Sequence, residues 1–116
     1  MNHNFHQDLQ KLTDDLVDRV YFITKKFPKE EMFGVTSQLR RASLSVALNY
    51  VEGYARQRKM VLRNFLEIAY GSLKETRYLV YFSYKQGFIE KNDFDFLVET
   101  IDRIGRMFWG IISKLK

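Results

Sequence analysis

Apolar residues recur three and four positions apart almost from one end of this chain to the other, and strict alternation is scarce. That spacing places one apolar stripe on each of a few long helices and leaves little room for strands. The first stripe is Phe5, Leu9, Leu12, Leu16, Val20, Ile23 and Phe27, and it halts at Phe27-Pro28 because proline disfavours helix in the residue before it. A connector, PKEEMFG, follows and ends in Gly34. The second stripe is Leu39, Ala42, Val46, Asn49 and Gly53, with Arg56 next in the same register. The third is Leu62, Phe65, Ala69, Ser72, Thr76 and Leu79, fading near Gly87. The fourth is Phe94, Leu97, Ile101, Ile104, Phe108, Ile111 and Leu115, with Asn92 or Asp93 as its expected N-cap. Connections this short make consecutive helices antiparallel neighbours. The expected fold is therefore all-α, an up-down-up-down antiparallel four-helix bundle formed by one domain over residues 1–116. The first ten residues are expected to be partly frayed.

Composition narrows the function. Absence of cysteine removes disulfides, thiolate catalysis and zinc-ribbon sites, and fits a reducing, cytoplasmic compartment. The N-terminal run MNHNFHQDLQKLTDD lacks the apolar core of a signal peptide, and no stretch approaches the length of uncharged apolar residues that crosses a membrane. The two histidines, His3 and His6, fall in the N-terminal tail, so no Glu-x-x-His metal motif forms on a helix. Glu52 with Glu67 or Glu75 offers a carboxylate pair, but no nucleophile, metal site or phosphate-cradling glycine loop accompanies it. We expect no catalytic residue, no metal and no cofactor.

The second helix poses a question of its own, since Asn49 and Gly53 interrupt its apolar stripe. The third answers with Ala69, Ser72 and Thr76, and with Gly71 beside them. A hairpin turning about Gln57 to Lys59 sets Val46 level with Ala69 and Ala42 level with Ser72. Both stripes are small there, so the helices can approach closely, which is a physical reason to accept a glycine that costs about 1 kcal/mol in a helix interior. Asn49 needs a partner, with Ser72, Thr76 or a backbone carbonyl freed near the glycine as candidates. Glu52 and Arg56, four apart, are placed to pair on the surface. The polar group reads either as a fixer of helix register or subunit contact, or as a ligand contact.

Charge is concentrated in the same region. Eight basic residues lie between Arg40 and Arg77 (Arg40, Arg41, Arg56, Arg58, Lys59, Arg63, Lys74 and Arg77) against three acids, Glu52, Glu67 and Glu75, while the remainder balances at eleven of each sign. A localised surplus suits polyanion binding, because each neutralised phosphate releases counterions. On the third helix Arg63, Tyr70, Arg77 and Tyr84 recur every seven residues, beside Glu67, Lys74 and Tyr81. Such a stripe fits single-stranded nucleic acid, with cations on phosphates and tyrosines on bases, or a subunit interface.

These residues also carry a resemblance. FPKEEMFGVTSQLRRASLSVALNYVEGYAR and NFLEIAYGSLKETRYLV, within about residues 27 to 90, resemble the four-helix-bundle proteins encoded in bacterial 23S rRNA intervening sequences. The shared pattern is Gln38, Leu39, Arg40, Arg41 and Ala42; then Asn49, Glu52, Gly53 and Arg56; then Phe65, Ala69, Gly71, Ser72 and Glu75. Proline often precedes the Asn segment in that family, where this chain has Val46-Ala47-Leu48, so a straight second helix is expected. The resemblance implies a homo-oligomer, a pentameric barrel of bundles. It also implies kinship in fold with the accessory variability determinant proteins of diversity-generating retroelements, which bind nucleic acid and a reverse transcriptase. The combined expectation is a non-catalytic oligomer binding RNA or DNA through Arg40, Arg41, Arg56, Arg58, Lys59, Arg63, Lys74 and Arg77. Asn49, Glu52, Gly53, Tyr70, Gly71, Ser72, Glu75 and Tyr81 are expected to be structural or interface residues. The alternative is a protein-interaction scaffold or subunit without a direct nucleic-acid role.

Overall fold

The computed structural model describes residues 3–115. Four long helices, α1 (His3–Thr24), α2 (Val35–Tyr54), α3 (Lys59–Lys85) and α4 (Lys91–Ile112), account for most of them, with one 3-10 turn (Lys29–Glu31) between α1 and α2. Each helix packs on its neighbours in sequence and α4 closes the ring on α1, while the backbones of the diagonal pairs stay apart and core side chains such as Tyr50 of α2 and Phe108 of α4, 5.8 Å between ring centroids, fill the space between them. The chain therefore forms the expected antiparallel four-helix bundle, 43 Å along its longest axis. Leu16 and Val20, Leu39 and Val46, Leu66 and Leu73, and Ile104 and Phe108 bring core residues from all four helices, each at 0–1% exposure.

Helix boundaries depart from expectation at three points. α1 begins at His3, so the first ten residues are not frayed over the described range. Leu9 is completely buried and Phe5 and His6 are half-buried, which holds this turn against the bundle. α4 takes Glu90 as its N-cap, with extended backbone, rather than Asn92 or Asp93. Asp93 instead lies in the first turn, where a carboxylate suits the helix dipole, and accepts a hydrogen bond from Arg19 of α1 at 2.9 Å. α2 ends at Tyr54, so Gly53 occupies its last turn and Arg56 falls outside it. The chain turns through 55–58, and Ala55 and Arg56 donate backbone bonds to the Glu52 and Gly53 carbonyls.

The end of α3 follows from one glycine. Gly87 has φ +82°, a left-handed conformation that residues with a Cβ adopt at a cost. That turn lets the Gly87 amide reach the Tyr84 carbonyl (3.0 Å) and the Phe88 amide reach the Ser83 carbonyl (2.9 Å). Both bonds satisfy carbonyls that a helix end otherwise leaves unpaired. Phe88 is thereby delivered against Phe27, at 5.5 Å between ring centroids. α2 itself runs unbroken from Val35, as expected without a proline near Val46.

Candidate nucleic-acid interface

α3 has two flanks of different character. On the flank facing α2 the side chains are small. A Cβ added at the buried Gly53 would stand 3.1 Å from both Leu62 Cδ1 and Phe65 Cβ, closer than ordinary van der Waals contact. The glycine therefore marks a close helix approach, as its place in the sequence suggested. Ser72 meets Ser45, hydroxyl to hydroxyl at 2.8 Å, rather than Ala42. Ala42 points further into the core and is buried, while Ser45 lies on the edge of α2 nearest α3. Asn49 donates to the Ser45 carbonyl (2.9 Å) and to the Ser45 hydroxyl (3.0 Å). It thus reaches Ser72 only through Ser45, and its backbone acceptor is one turn back on its own helix rather than beside Gly53. Thr76 donates to the Ser72 carbonyl at 2.8 Å. Glu52 and Arg56 pair at 3.4 Å on the surface, as their spacing implied. Glu75 and Gly71 are exposed, and a Cβ at Gly71 would meet nothing within 4 Å.

The opposite flank of α3 faces α4. The row Arg63, Tyr70, Arg77 and Tyr84 lies along that helix, with Arg77 still exposed. Arg63 donates to the Leu115 carbonyl at 3.0 Å, Tyr70 packs near Trp109 with centroids 6.1 Å apart, Arg77 pairs with Asp102 at 2.9 Å, and Tyr84 stacks on Phe94 at 4.1 Å. Seven-residue spacing identifies a row but not the neighbour it lies against, and α4 supplies that neighbour. The hydrogen bond from Arg77 holds the Asp102 carboxyl below its usual pKa, and the same bond raises that of Arg77. Of the adjacent row, Glu67, Lys74 and Tyr81 remain exposed, with the Lys74 ammonium 5.2 Å from the Tyr70 ring centre and Lys85 5.5 Å from that of Tyr81.

The eight basic residues do not share one face. Arg56, Arg58 and Lys59 are exposed where α2 turns into α3, and the half-buried Arg63 follows one turn later. Lys74 and Arg77 lie further along the α3–α4 seam. Arg40 sits apart on the α1–α2 flank, donating to the Thr24 hydroxyl (2.8 Å) with its guanidinium 4.9 Å from the Tyr21 ring centre. Arg41 is exposed on α2.

The contribution of α4 escaped the charge count. After Asp102 the chain holds Arg103, Arg106, Lys114 and Lys116 and no acid, but acids earlier in α4 cancel them in a whole-segment tally. The Arg63–Leu115 hydrogen bond brings the start of α3 to the end of α4, so this cationic run joins the basic turn. Arg103, Arg106 and Lys114 rim a depression of about 760 Å³ floored by Phe5, Met107, Ile111 and Leu115. Arg106 also borders a groove of about 330 Å³ between α3 and α4. One end of the bundle therefore carries cations from the α2–α3 turn and from two helices.

His6, assigned to the tail by sequence, lies on α1 with its Nδ1 3.0 Å from the Tyr50 hydroxyl and its ring 4.0 Å from that of Tyr54, centroid to centroid. Burial pushes the Tyr50 pKa up to about 12. Among the described residues no three metal-ligating side chains come together, and no helix is long and apolar enough to cross a membrane.

The family model of the 23S rRNA-intervening sequence protein matches residues 6–110. The chain belongs to this family. The match reaches well beyond the segment that carries the sequence pattern, into α1 and α4. A crystal structure of a protein of unknown function from the S23 ribosomal protein family of Bacteroides thetaiotaomicron superposes with a TM-score of 0.83, covering 90% of this chain and 97% of that one. At 19% identity that likeness speaks to fold alone. Among curated proteins none matches the chain.

Proposed function

We propose that this one-domain protein is a non-catalytic, cytoplasmic homo-oligomer, a pentamer as the family resemblance implies, that binds RNA or DNA through its basic end. The carrying observation is the convergence of Arg56, Arg58, Lys59 and Arg63 with the acid-free end of α4. Membership of a family described by an rRNA insertion makes RNA the first ligand to test. Arg41 on α2 and Lys74 on α3 add exposed cations away from that end, whereas Asp102 offsets the charge of Arg77. Arg40 contributes less, because its guanidinium is already engaged by Thr24 and Tyr21. Repetition of a modest site around a ring raises avidity without any new contact.

Fluorescence anisotropy with a labelled RNA, titrated against salt, tests this reading. Affinity should fall steeply with salt, by a log-log slope of about 0.7 per single-strand phosphate contact. Charge reversal at Arg58 and Lys59, both exposed, should weaken binding and flatten the slope, and reversal at Arg63 should add to the loss. Binding that ignores salt, or no binding at low salt, refutes it. Light scattering settles the oligomer, and a monomer mass refutes that part.

A second reading, a scaffold that recruits another protein such as a reverse transcriptase, draws on one observation. Leu48 (53% exposed), Val51 (51%) and Leu44 (38%) line the outer face of α2, with Ile68 (53%) and Tyr78 (63%) exposed on α3. Exposed apolar stripes of this kind mark contacts between chains. Recovery of a protein partner after nuclease treatment, with no RNA affinity in the purified protein, would favour it over the first.

A further inference from the structure

The groove between α3 and α4 has the chemistry of a single-stranded nucleic-acid subsite. Trp109, the sole tryptophan of the chain, is 58% exposed, which leaves much of a large aromatic ring in water. Its indole and the Tyr70 ring are tilted 38° to each other across the groove. Gly105 lines the groove beside Tyr70, and a Cβ there would stand 3.9 Å from Tyr70 Cε1 and 3.4 Å from Leu73 Cδ2, so the absent side chain keeps the floor open. Lys74 and Arg106 border the same groove. Its other charge, Asp102, is held by Arg77, which leaves Lys74 and Arg106 to set the sign where the aromatics lie.

We propose that this groove seats an unpaired base of single-stranded RNA against the Trp109 indole, with flanking phosphates on Lys74 and Arg106. The assignment rests on the nucleic-acid reading above and names the form of ligand. Stacking needs a free base face, which a duplex does not offer. Asp102 and Arg77 offset each other at one end, whereas the acid-free run of α4 attracts phosphate at the other. The strand therefore leaves the groove past Arg106 toward the basic end of the bundle.

Because tryptophan occurs once, its intrinsic fluorescence reports this groove and no other place. At low salt, a twelve-nucleotide single-stranded oligouridine should quench that fluorescence to saturation, with the same midpoint as anisotropy of the labelled strand. A duplex RNA of equal length should leave it unchanged. Trp109→Ala should weaken single-strand binding about 5- to 150-fold, the worth of one stacked base, with helical circular dichroism retained because the side chain is mostly outside the core. Trp109→Phe should recover most of the affinity. Anisotropy binding without quenching, or unchanged affinity in Trp109→Ala, overturns the groove while leaving the basic-end reading intact. Equal quenching by duplex also overturns it. So does a Trp109→Ala variant that loses oligomer mass while its affinity per protomer stays constant, since Trp109 is then a contact between copies. No binding of any RNA defeats both readings together.

Discussion

Gly53→Ala puts two opposed energies at one atom. Helix propensity favours alanine, by at most about 1 kcal/mol and less in a final turn, where Gly53 lies. Packing opposes it. The new methyl would sit 3.1 Å from Leu62 Cδ1, which can rotate away, and 3.1 Å from Phe65 Cβ, which moves only with the α3 backbone. Overpacking of this kind costs about 1–3 kcal/mol, so packing wins and Gly53→Ala is a net loss. Gly71→Ala and Gly110→Ala isolate the other side, because neither new Cβ meets anything within 4 Å. Gly71, deep in α3, should gain close to the full propensity term. The two signs should therefore differ. Urea unfolding followed by circular dichroism reads the result, and with slopes of about 1–3 kcal/mol/M the Gly53 and Gly71 midpoints should separate by on the order of 1 M. If Gly53→Ala raises the midpoint as Gly71→Ala does, the helices are not closely packed there and the explanation of the glycine fails.

Gly87→Ala should destabilise by about 1 kcal/mol in the same assay, since alanine must adopt the left-handed φ that ends α3. Asn49→Ala should cost about 1 kcal/mol, seen as a lower urea midpoint, by removing two hydrogen bonds to Ser45. Asp102→Asn should cost a few tenths of a kcal/mol, because Arg77 and Asp102 are both over 40% exposed and screened by water. Since folding lowers the Asp102 pKa, its contribution is complete above about pH 4 and disappears as pH falls through the folded value. Wild type and Asp102→Asn should accordingly converge in acid and differ at neutral pH, by less in high salt.

The four helices were legible because each apolar stripe repeats often enough to exclude a strand. Their ends were less so. Asn92 and Asp93 are good caps by residue type, yet Asp93 is better used against Arg19, and local preference yields to that longer-range bond. The α2–α3 seam was readable from Gly53, Ala69 and Ser72, since small residues facing small residues imply approach. The partner of Ser72 was not readable, because spacing cannot tell the buried Ala42 from Ser45 on the helix edge. The basic surface was half legible. Arg58 and Lys59 announce themselves, whereas Arg103 and Arg106 are hidden behind Asp93, Asp95, Glu99 and Asp102, which share their helix but all precede them. A sliding tally of charge finds that run where a segment total does not.

α3 does two jobs because a helix has two flanks. Its α2 side carries Ala69, Ser72 and Thr76, and there close packing and the Asn49–Ser45–Ser72 chain specify how the hairpin closes. Its α4 side carries Arg63, Tyr70 and Arg77, wide side chains that cannot support such an approach and so leave a groove beside Trp109. The tight seam and the open one follow from the same geometry, since drawing α3 onto α2 with small residues leaves bulk to space it from α4. Long side chains that reach water, those of the proposed groove among them, thereby fall on one flank of α3 and the tight packing on the other. Substitutions at Gly53 or Asn49 should move the unfolding midpoint with RNA affinity unchanged in the folded protein. Those at Lys74, Arg106 or Trp109 should do the reverse. A variant set in which both properties move together on both flanks would mean that α3 is not divided in this way.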